Sequence, residues 1–189
     1  MTAIELLLSR ASAVRLTEPA PTEAAIETLI SSALRAPDHG RLRPWRFILI
    51  RPEMRERFGD LLAAHLLRRV PDASPELLRR ERDKAMRAPM IIVVAQKSRP
   101  SEKIPQVEQM LSAGAAAQNI LLAAHALGYG AMWKTGSAAY DDEVKAALGL
   151  VAEDAIVGFV YVGAHAMAPP TSIERPAVSE FLDEWRGGS

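Results

Sequence analysis

The stretch Leu111–Gly136, LSAGAAAQNILLAAHALGYGAMWKTG, constrains the fold more than any other part of the chain. To about Leu127 it is dominated by Ala and Leu with nothing to break the period, so it reads as a helix. That helix is nearly free of charge on every side, and such a helix belongs in a core or an interface. Gly114, Ala115, Ala116, Ala117, Ala123 and Ala124 keep it thin, which lets neighbouring backbones approach closely. Gly128 supplies the C-terminal stop. The segment Gly130-Ala-Met-Trp-Lys-Thr-Gly136 then sets an aromatic, a cation and a hydroxyl between glycines. Two readings stand. Either the helix delivers a ligand-contacting segment, or a core helix runs on into an ordinary hairpin or strand. Gln118, Asn119 and His125 interrupt the apolar run and no basic flank follows, which argues against a membrane span.

Composition enters mainly through what it excludes. The formal charge is zero, so no overall field holds nucleic acid or an anionic membrane. The absence of cysteine removes disulfides, thiolate metal sites, iron–sulfur clusters and cysteine nucleophiles together. The N-terminal MTAIELLLSR carries an acid inside its apolar run and no basic region before it, which is not the pattern of a signal peptide and implies a cytoplasmic protein. A chain of 189 residues is long enough for one real core.

Along the chain, Thr2 and Glu5 form a capping-box pattern that opens a helix to about Ser9, with Ile4, Leu7 and Leu8 on its buried face. Arg10–Arg15 is a polar link. A second helix from Thr22 to Arg35 buries Ile26, Leu29, Ile30 and Ala33, and Ala36-Pro37 ends it. The link from Arg35 to Trp45 is polar and stiffened by two prolines. It feeds a strand, Arg46–Ile50, that draws Arg46 towards the core. A helix carrying Met54, Phe58, Leu61, Leu62 and Leu66 follows, and Ser74-Pro75 starts another. The charged run Leu77–Arg87 reads as exposed. Met90–Ala95 and Ala155–Gly163 lack alternation and read as strands buried on both faces. Asp141 caps a short helix through Leu148. Pro169, Pro170 and Pro176 force an extended tail that must lie over something. About four strands and six helices without βαβ alternation give an α+β fold, a sheet flanked by helices. The whole is one domain over 1–189, with an exposed helical excursion over about 53–88 and an extended tail over about 166–189.

The histidines His39, His65, His125 and His165 show no metal-ligand spacing, and no serine sits in a nucleophile elbow. Gly128-Tyr-Gly130 hints at a dinucleotide fingerprint, but Trp133 fills the third glycine position and a helix, not a strand, precedes it. What remains is cationic and aromatic: Arg10, Ser12 and Arg15; Arg35, His39, Arg41 and Arg43; Lys134 beside Trp133. Guanidinium groups with a serine hydroxyl suit a phosphate, and prolines, glycines and Trp133 suit a flat heteroaromatic ring. Solvated arginines on loops are the plainer reading of the same residues.

The order Arg10-x-Ser12, Ala36-Pro37 leading to Pro44-Trp45-Arg46-Phe47, and Gly128-x-Gly130-x-x-Trp133-x-Thr-Gly136 resembles the FMN-dependent nitroreductases. The likeness is greatest to their compact bacterial YdjA-like NAD(P)H subgroup, in which Arg-Ala-Pro-Asp-His recurs, and it covers essentially the whole chain. The resemblance implies an α+β sandwich with a mostly antiparallel central sheet, entwined as a homodimer with two FMN sites at the interface. It puts the FMN phosphate on Arg10, Ala11 and Ser12. Arg35, Pro37 and His39 of the other subunit would cover the flavin, with Trp133, Lys134, Thr135 and Gly136 beside the ring. This chain departs from the family where His39, Arg41 and Arg43 stand for a small hydroxyl, Asn and Gln, and where Ala11 replaces a second arginine.

The function so implied is NAD(P)H-dependent reduction of nitroaromatic, quinone-like or related small acceptors by ping-pong hydride transfer, with the chemistry on the flavin and none on a catalytic side chain. Two other classes compete with it. One is a flavin-binding module without turnover. The other is a nucleic-acid binder using Arg35, Arg41, Arg43 and Arg46, which zero net charge disfavours.

Overall fold

Strand β3 (Met90–Gln96) is buried along its whole length, so both of its faces must be covered, and the architecture follows from that. The structure is a computed structural model and describes residues 1–167 and 175–187. The remaining strands are β1 (Leu16–Thr17), β2 (Trp45–Ile50), β4 (Gly130–Lys134) and β5 (Ala155–His165). The helices are α1 (Ala3–Ser9), α2 (Glu23–Ala33), α3 (Arg55–Arg69), α4 (Pro75–Arg82), α5 (Gln106–Ala126) and α6 (Asp142–Ala147). Strand β5 pairs with β3, β4 and β1, β2 pairs with β3, and every pairing is antiparallel. The sheet is therefore antiparallel throughout its described strands, and helices lie on both faces.

The two covering layers divide β3 by parity, as a pleated strand requires. Met90, Ile92 and Val94 face α2 and α5, packing with Leu29, Ala33, Ala116, Ala117, Ile120 and Ala124. Ile91, Val93 and Ala95 face the other way, against Phe58 and Leu62 of α3, Ala85, Ala88 and Val144. The small residues of α5 act as expected, for Ala113, Ala116, Ala117 and Ala124 are fully buried and bring its axis close to the sheet. Thr22, Ser74 and Asp141 cap α2, α4 and α6 through their side chains.

Several expectations need correction. The capping box on α1 is present, yet Ile4, Leu7 and Leu8 are 64, 52 and 72% exposed, because no other described residue covers that face of the short helix. Arg46 is exposed, since alternation along β2 sends it outward even as its neighbours pack inward. The excursion over about 53–88 is not wholly exposed: Phe58, Leu62 and His65 of α3, and Ala85 after α4, are buried. Strand β1 falls just after the Arg10–Arg15 link, in a stretch given no element, and α5 opens five residues before Leu111. The link from Arg35 to Trp45 contains a 3-10 turn at His39–Arg41, with φ positive at Gly40, Arg41 and Arg43. Pro169 and Pro170 lie outside the described residues. The tail from 175 to 187 includes Pro176 and is exposed throughout, with Phe181 and Trp185 at 75 and 91%.

Gly158 of β5 lets Trp133 lie across the sheet, for a Cβ there would strike the indole ring. The ring also donates from Nε1 to the Val157 carbonyl at 3.2 Å. Gly158→Ala should therefore displace Trp133 and lower stability by about 1–3 kcal/mol, the usual range for overpacking. Thermal unfolding with tryptophan emission as the probe checks this, and an unchanged melting temperature would show that the indole yields freely.

Candidate functional site

The residues after α1 are stitched to the ends of β4 and β5. Ala13 donates its N–H to the Ala131 carbonyl at 3.0 Å, Ala166 donates to the Arg15 carbonyl at 3.3 Å, and Leu16 pairs with His165. Gly130 permits this crowding, because a Cβ there would meet Leu16, Ala13 and His165. The segment so held forms one wall of a cleft of about 510 Å³. Its lining is Val14, Arg15, Leu16, Thr17, Met86, Arg87, Met132, Lys134 and Ala166, which includes three cations and no carboxylate. Alternation along β4 explains the membership: Met132 and Lys134 point into the cleft, while Trp133 points to the α5 side.

The segment that leads into this wall carries an unsatisfied cation. Arg10 is partly buried, and its Nη1 is buried without a hydrogen-bond partner. An orphaned buried donor of this kind is destabilising until something accepts from it. Its surroundings are cationic too. Arg175 donates from Nη2 to the Arg10 carbonyl at 3.2 Å. His125 lies 2.9 Å from Ser9 Oγ through its Nε2, and its pKa is lowered by burial first, then by His165 and Arg10. Ser12, two residues on, is exposed with its hydroxyl available. The missing partner of such a group is an anion. Beneath the cleft Tyr161, cross-strand from Met132, is pushed up to about 12 by burial, with Arg87 opposing and Glu81 adding, so its hydroxyl stays protonated.

The sequence-predicted residues thus divide. Lys134 lines the cleft, Arg10, Ala11 and Ser12 precede the segment that forms its wall, and Thr135 and Gly136 lie on the exposed turn that follows β4. Trp133 lines a separate apolar groove of about 760 Å³ with Leu111, Gly114 and Tyr140. Arg35, Pro37 and His39 are elsewhere again. Arg35 lines a groove with Ser32 and Asn119. The Pro37 carbonyl accepts from Ser112 Oγ at 2.6 Å, and His39 Nδ1 meets Glu108 Oε2 at 2.6 Å near the start of α5. Arg87, Met132, His125, His165 and Arg175 are the members that sequence reasoning missed. For Met132 the alternation of a strand was a usable signal; for Arg87, inside a charged run, there was none.

The cluster makes a titration prediction. With its folded pKa below the ordinary 6.5, His125 binds protons more weakly in the native protein than in the unfolded chain. Its contribution to stability is complete above about pH 6.5 and declines as pH falls through that value. An anion seated against Arg10 should raise the His125 midpoint by relieving the repulsion. Imidazole NMR titration with and without added phosphate measures both effects, and a midpoint indifferent to the anion would separate His125 from the seat.

Comparison with known proteins gives this geometry a family. The nitroreductase family model matches residues 8–164. The chain is 38% identical over 182 residues to the Escherichia coli K12 protein YdjA, named as a candidate NAD(P)H nitroreductase, covering 96% of this chain and 98% of that one. A Haemophilus influenzae protein, likewise named a candidate NAD(P)H nitroreductase, is 37% identical over 86% of this chain and 88% of its own. Among solved structures, a nitroreductase-like family protein from Bacillus cereus superposes with a TM-score of 0.82 at 24% identity, covering 99% of this chain and 97% of that one. A candidate nitroreductase from Desulfovibrio desulfuricans, in complex with FMN, superposes with a TM-score of 0.71 at 28% identity, covering 96% and 95%. Among the described residues no helix is long and apolar enough to cross a membrane. On the near full-length identity, the matching family model and the shared antiparallel sandwich, the chain belongs to the nitroreductase family.

Proposed function

We propose that the protein is a cytoplasmic, homodimeric FMN-dependent oxidoreductase. It would use NAD(P)H to reduce nitroaromatic, quinone-like or related small acceptors in a ping-pong cycle. The observation that carries this reading is the orphaned Arg10 guanidinium in the segment that leads into the wall of a cationic cleft. One end of that site suits a phosphate and the other a flat ring. The FMN bound by the Desulfovibrio relative, and the NAD(P)H in the names of the close bacterial relatives, support the same pair of molecules.

FMN would supply the hydride chemistry when bound. Arg10 and Ser12 would hold its phosphate through charge-assisted hydrogen bonds. Arg15, Arg87 and Lys134 give the cleft a positive potential that favours the negative charge of the reduced ring. The backbone of Thr135 and Gly136 would lie at the ring edge. No side chain is assigned as nucleophile or metal ligand.

The distance along α5 favours a shared site. Ser9 Oγ ties the Arg10 segment to His125 near one end of α5, and His39 is tied to Glu108 near the other. At 1.5 Å per residue those anchors stand roughly 25 Å apart. A flavin held between Arg10 and His39 would therefore take its His39 from a second copy whose α5 runs antiparallel to the first. The exposed Val107 and Leu111 on α5, with Ile4 and Leu8 on α1, offer apolar surface for that copy to cover.

The purified protein should be yellow, release FMN on heating, and oxidise NAD(P)H faster when an acceptor such as a quinone is added. Binding of FMN without turnover would leave the module reading, and failure to take up FMN would end both. Arg10→Ala should weaken FMN binding about ten- to a hundredfold, the loss of one charge-assisted contact, while Arg79→Ala on exposed α4 leaves it unchanged. Mixing Arg10→Ala with His39→Asp chains under subunit exchange should restore part of the flavin occupancy, because one site of the heterodimer escapes both lesions. No restoration despite proven exchange would place the whole site on one chain.

A further inference from the structure

The exposed turn after β4 has little of its own to hold it still. Lys134 is its last residue paired in the sheet, opposite Phe159. Lys134, Thr135, Gly136 and Ser137 are all exposed, and Gly136 sits at φ 135°, in the region that favours glycine. The turn runs into a 3-10 turn at Ser137–Tyr140 with Ala138 and Ala139 buried, and the Ala139 N–H donates back to the Gly136 carbonyl at 3.0 Å. Among the described residues, the one side-chain hydrogen bond from 134–137 to another element is Ser137 Oγ to His65 Nε2, at 3.0 Å.

His65 is an unusual partner for an exposed serine, because it is 2% exposed. It belongs to α3, in the excursion between β2 and β3, and contributes nothing to the cationic cleft. Its other ring nitrogen, Nδ1, lies 3.0 Å from Asp141 Oδ2, off the line of a straight hydrogen bond. Asp141 is itself fixed: it accepts from the Val144 N–H at 2.9 Å and from Arg68 Nη2 at 2.8 Å. Burial pushes its carboxyl up, but Val144, His65 and Arg68 together outweigh that and hold it below its ordinary value, so it is ionised at neutral pH. A carboxylate at Nδ1 favours the tautomer protonated there, which leaves Nε2 to accept from the Ser137 hydroxyl. The chain Arg68–Asp141–His65–Ser137 thus runs from an exposed arginine of α3 through the buried His65 to the turn.

We infer that His65 is a positioning residue for the flavin site, fixing the turn at Thr135–Gly136 through Ser137 while Asp141 orients its ring. This rests on the reading that FMN lies against that turn. Ser137, His65 and Asp141 are also the side chains of a hydrolase triad, but the ion pair from Arg68 offsets the carboxylate charge and the Asp–His contact is misaligned. A tie that orients backbone fits better. The consequence is that α3 acts on hydride transfer without touching the cofactor. Slack of about an ångström at a reacting edge lowers rates by up to about a hundredfold.

The test uses Ser137→Ala, His65→Ala and His65→Gln, with Arg79→Ala as the control. In the flavin-free protein, amide hydrogen exchange over 134–141 should quicken about tenfold in the two alanine variants and stay unchanged in the control. In the FMN-loaded enzyme, stopped-flow reduction by NAD(P)H should slow about ten- to a hundredfold with KM changed little, and His65→Gln should recover part of the loss. Should His65→Ala fail to fold, Ser137→Ala decides, since removing one exposed hydroxyl leaves no cavity. Faster exchange with an unchanged reduction rate would reduce the network to a fold anchor and overturn the inference. Unchanged exchange would overturn it as well. If wild-type protein takes up no FMN, the oxidoreductase reading fails with it, whereas uptake and turnover unaffected by the variants sink this inference alone.

Discussion

Strand β5 is paired along both edges, with β3 on one and β4 on the other, and most of this molecule's chemistry depends on that. The ladder from Lys134–Phe159 to Gly130–Gly163 puts Met132 and Lys134 on one face and Trp133 on the other. A slip of one residue would exchange them and take Lys134 out of the cleft. The ladder with β3 runs over the same part of β5 with a register shift between Val94 and Ala95, so an error on either side has the other strand to correct it. Glycines at 130, 158 and 163 sit where Leu16, Trp133 and Pro89 press against the sheet. The sheet is thus held in register by backbone pairing and made approachable by residues with no side chain.

A zero net charge conceals how unevenly the charges are placed. Around α3, α4 and α6, opposite charges find each other: Arg68 with Asp141 and Glu143, Arg82 with Asp60, Lys145 with Asp142. Exposed pairs of this kind add little stability. The cleft between the N-terminal segment and β4 is different, with Arg15, Arg87 and Lys134 lining it without a carboxylate, and Arg10, in the segment that leads into its wall, has a buried donor unused among the described residues. Segregation of this sort is unfavourable in the isolated chain, and a bound anion removes the penalty. Composition gives only the zero net charge, whereas the fold shows where the unpaired cations lie.

What was legible in the sequence were the features that act locally. The caps at Thr22, Ser74 and Asp141, the unalternating strands around Val93 and Val160 and the buried face of α5 all depend on near neighbours in the chain, and each is where it was expected. The misreadings share a different cause. Ile4, Leu7 and Leu8 have the periodicity of a buried face, but burial needs a covering surface, and the described residues provide none. The two-residue strand β1 exists only because β5 extends past β4 to receive it. Arg87 reaches the cleft through the path of the chain between α4 and β3, which no spacing encodes. Arg10 was visible as a candidate; that one of its nitrogens is buried without a partner was not.

Helix α5 joins these observations. It fills the core with alanine on one side and carries Val107 and Leu111 exposed on another, so a single element serves both as core and as uncovered surface. Ser9–His125 and Glu108–His39 fasten two cation-bearing segments near its opposite ends. Its length, roughly 30 Å at 1.5 Å per residue, keeps those segments apart within one chain. A two-fold axis across the helix removes the separation without moving either segment, since it lays the His125 end of one copy beside the Glu108 end of the other. The thinness of the helix lets the sheet approach from one side, and in the proposed dimer it would let a second copy approach from the other.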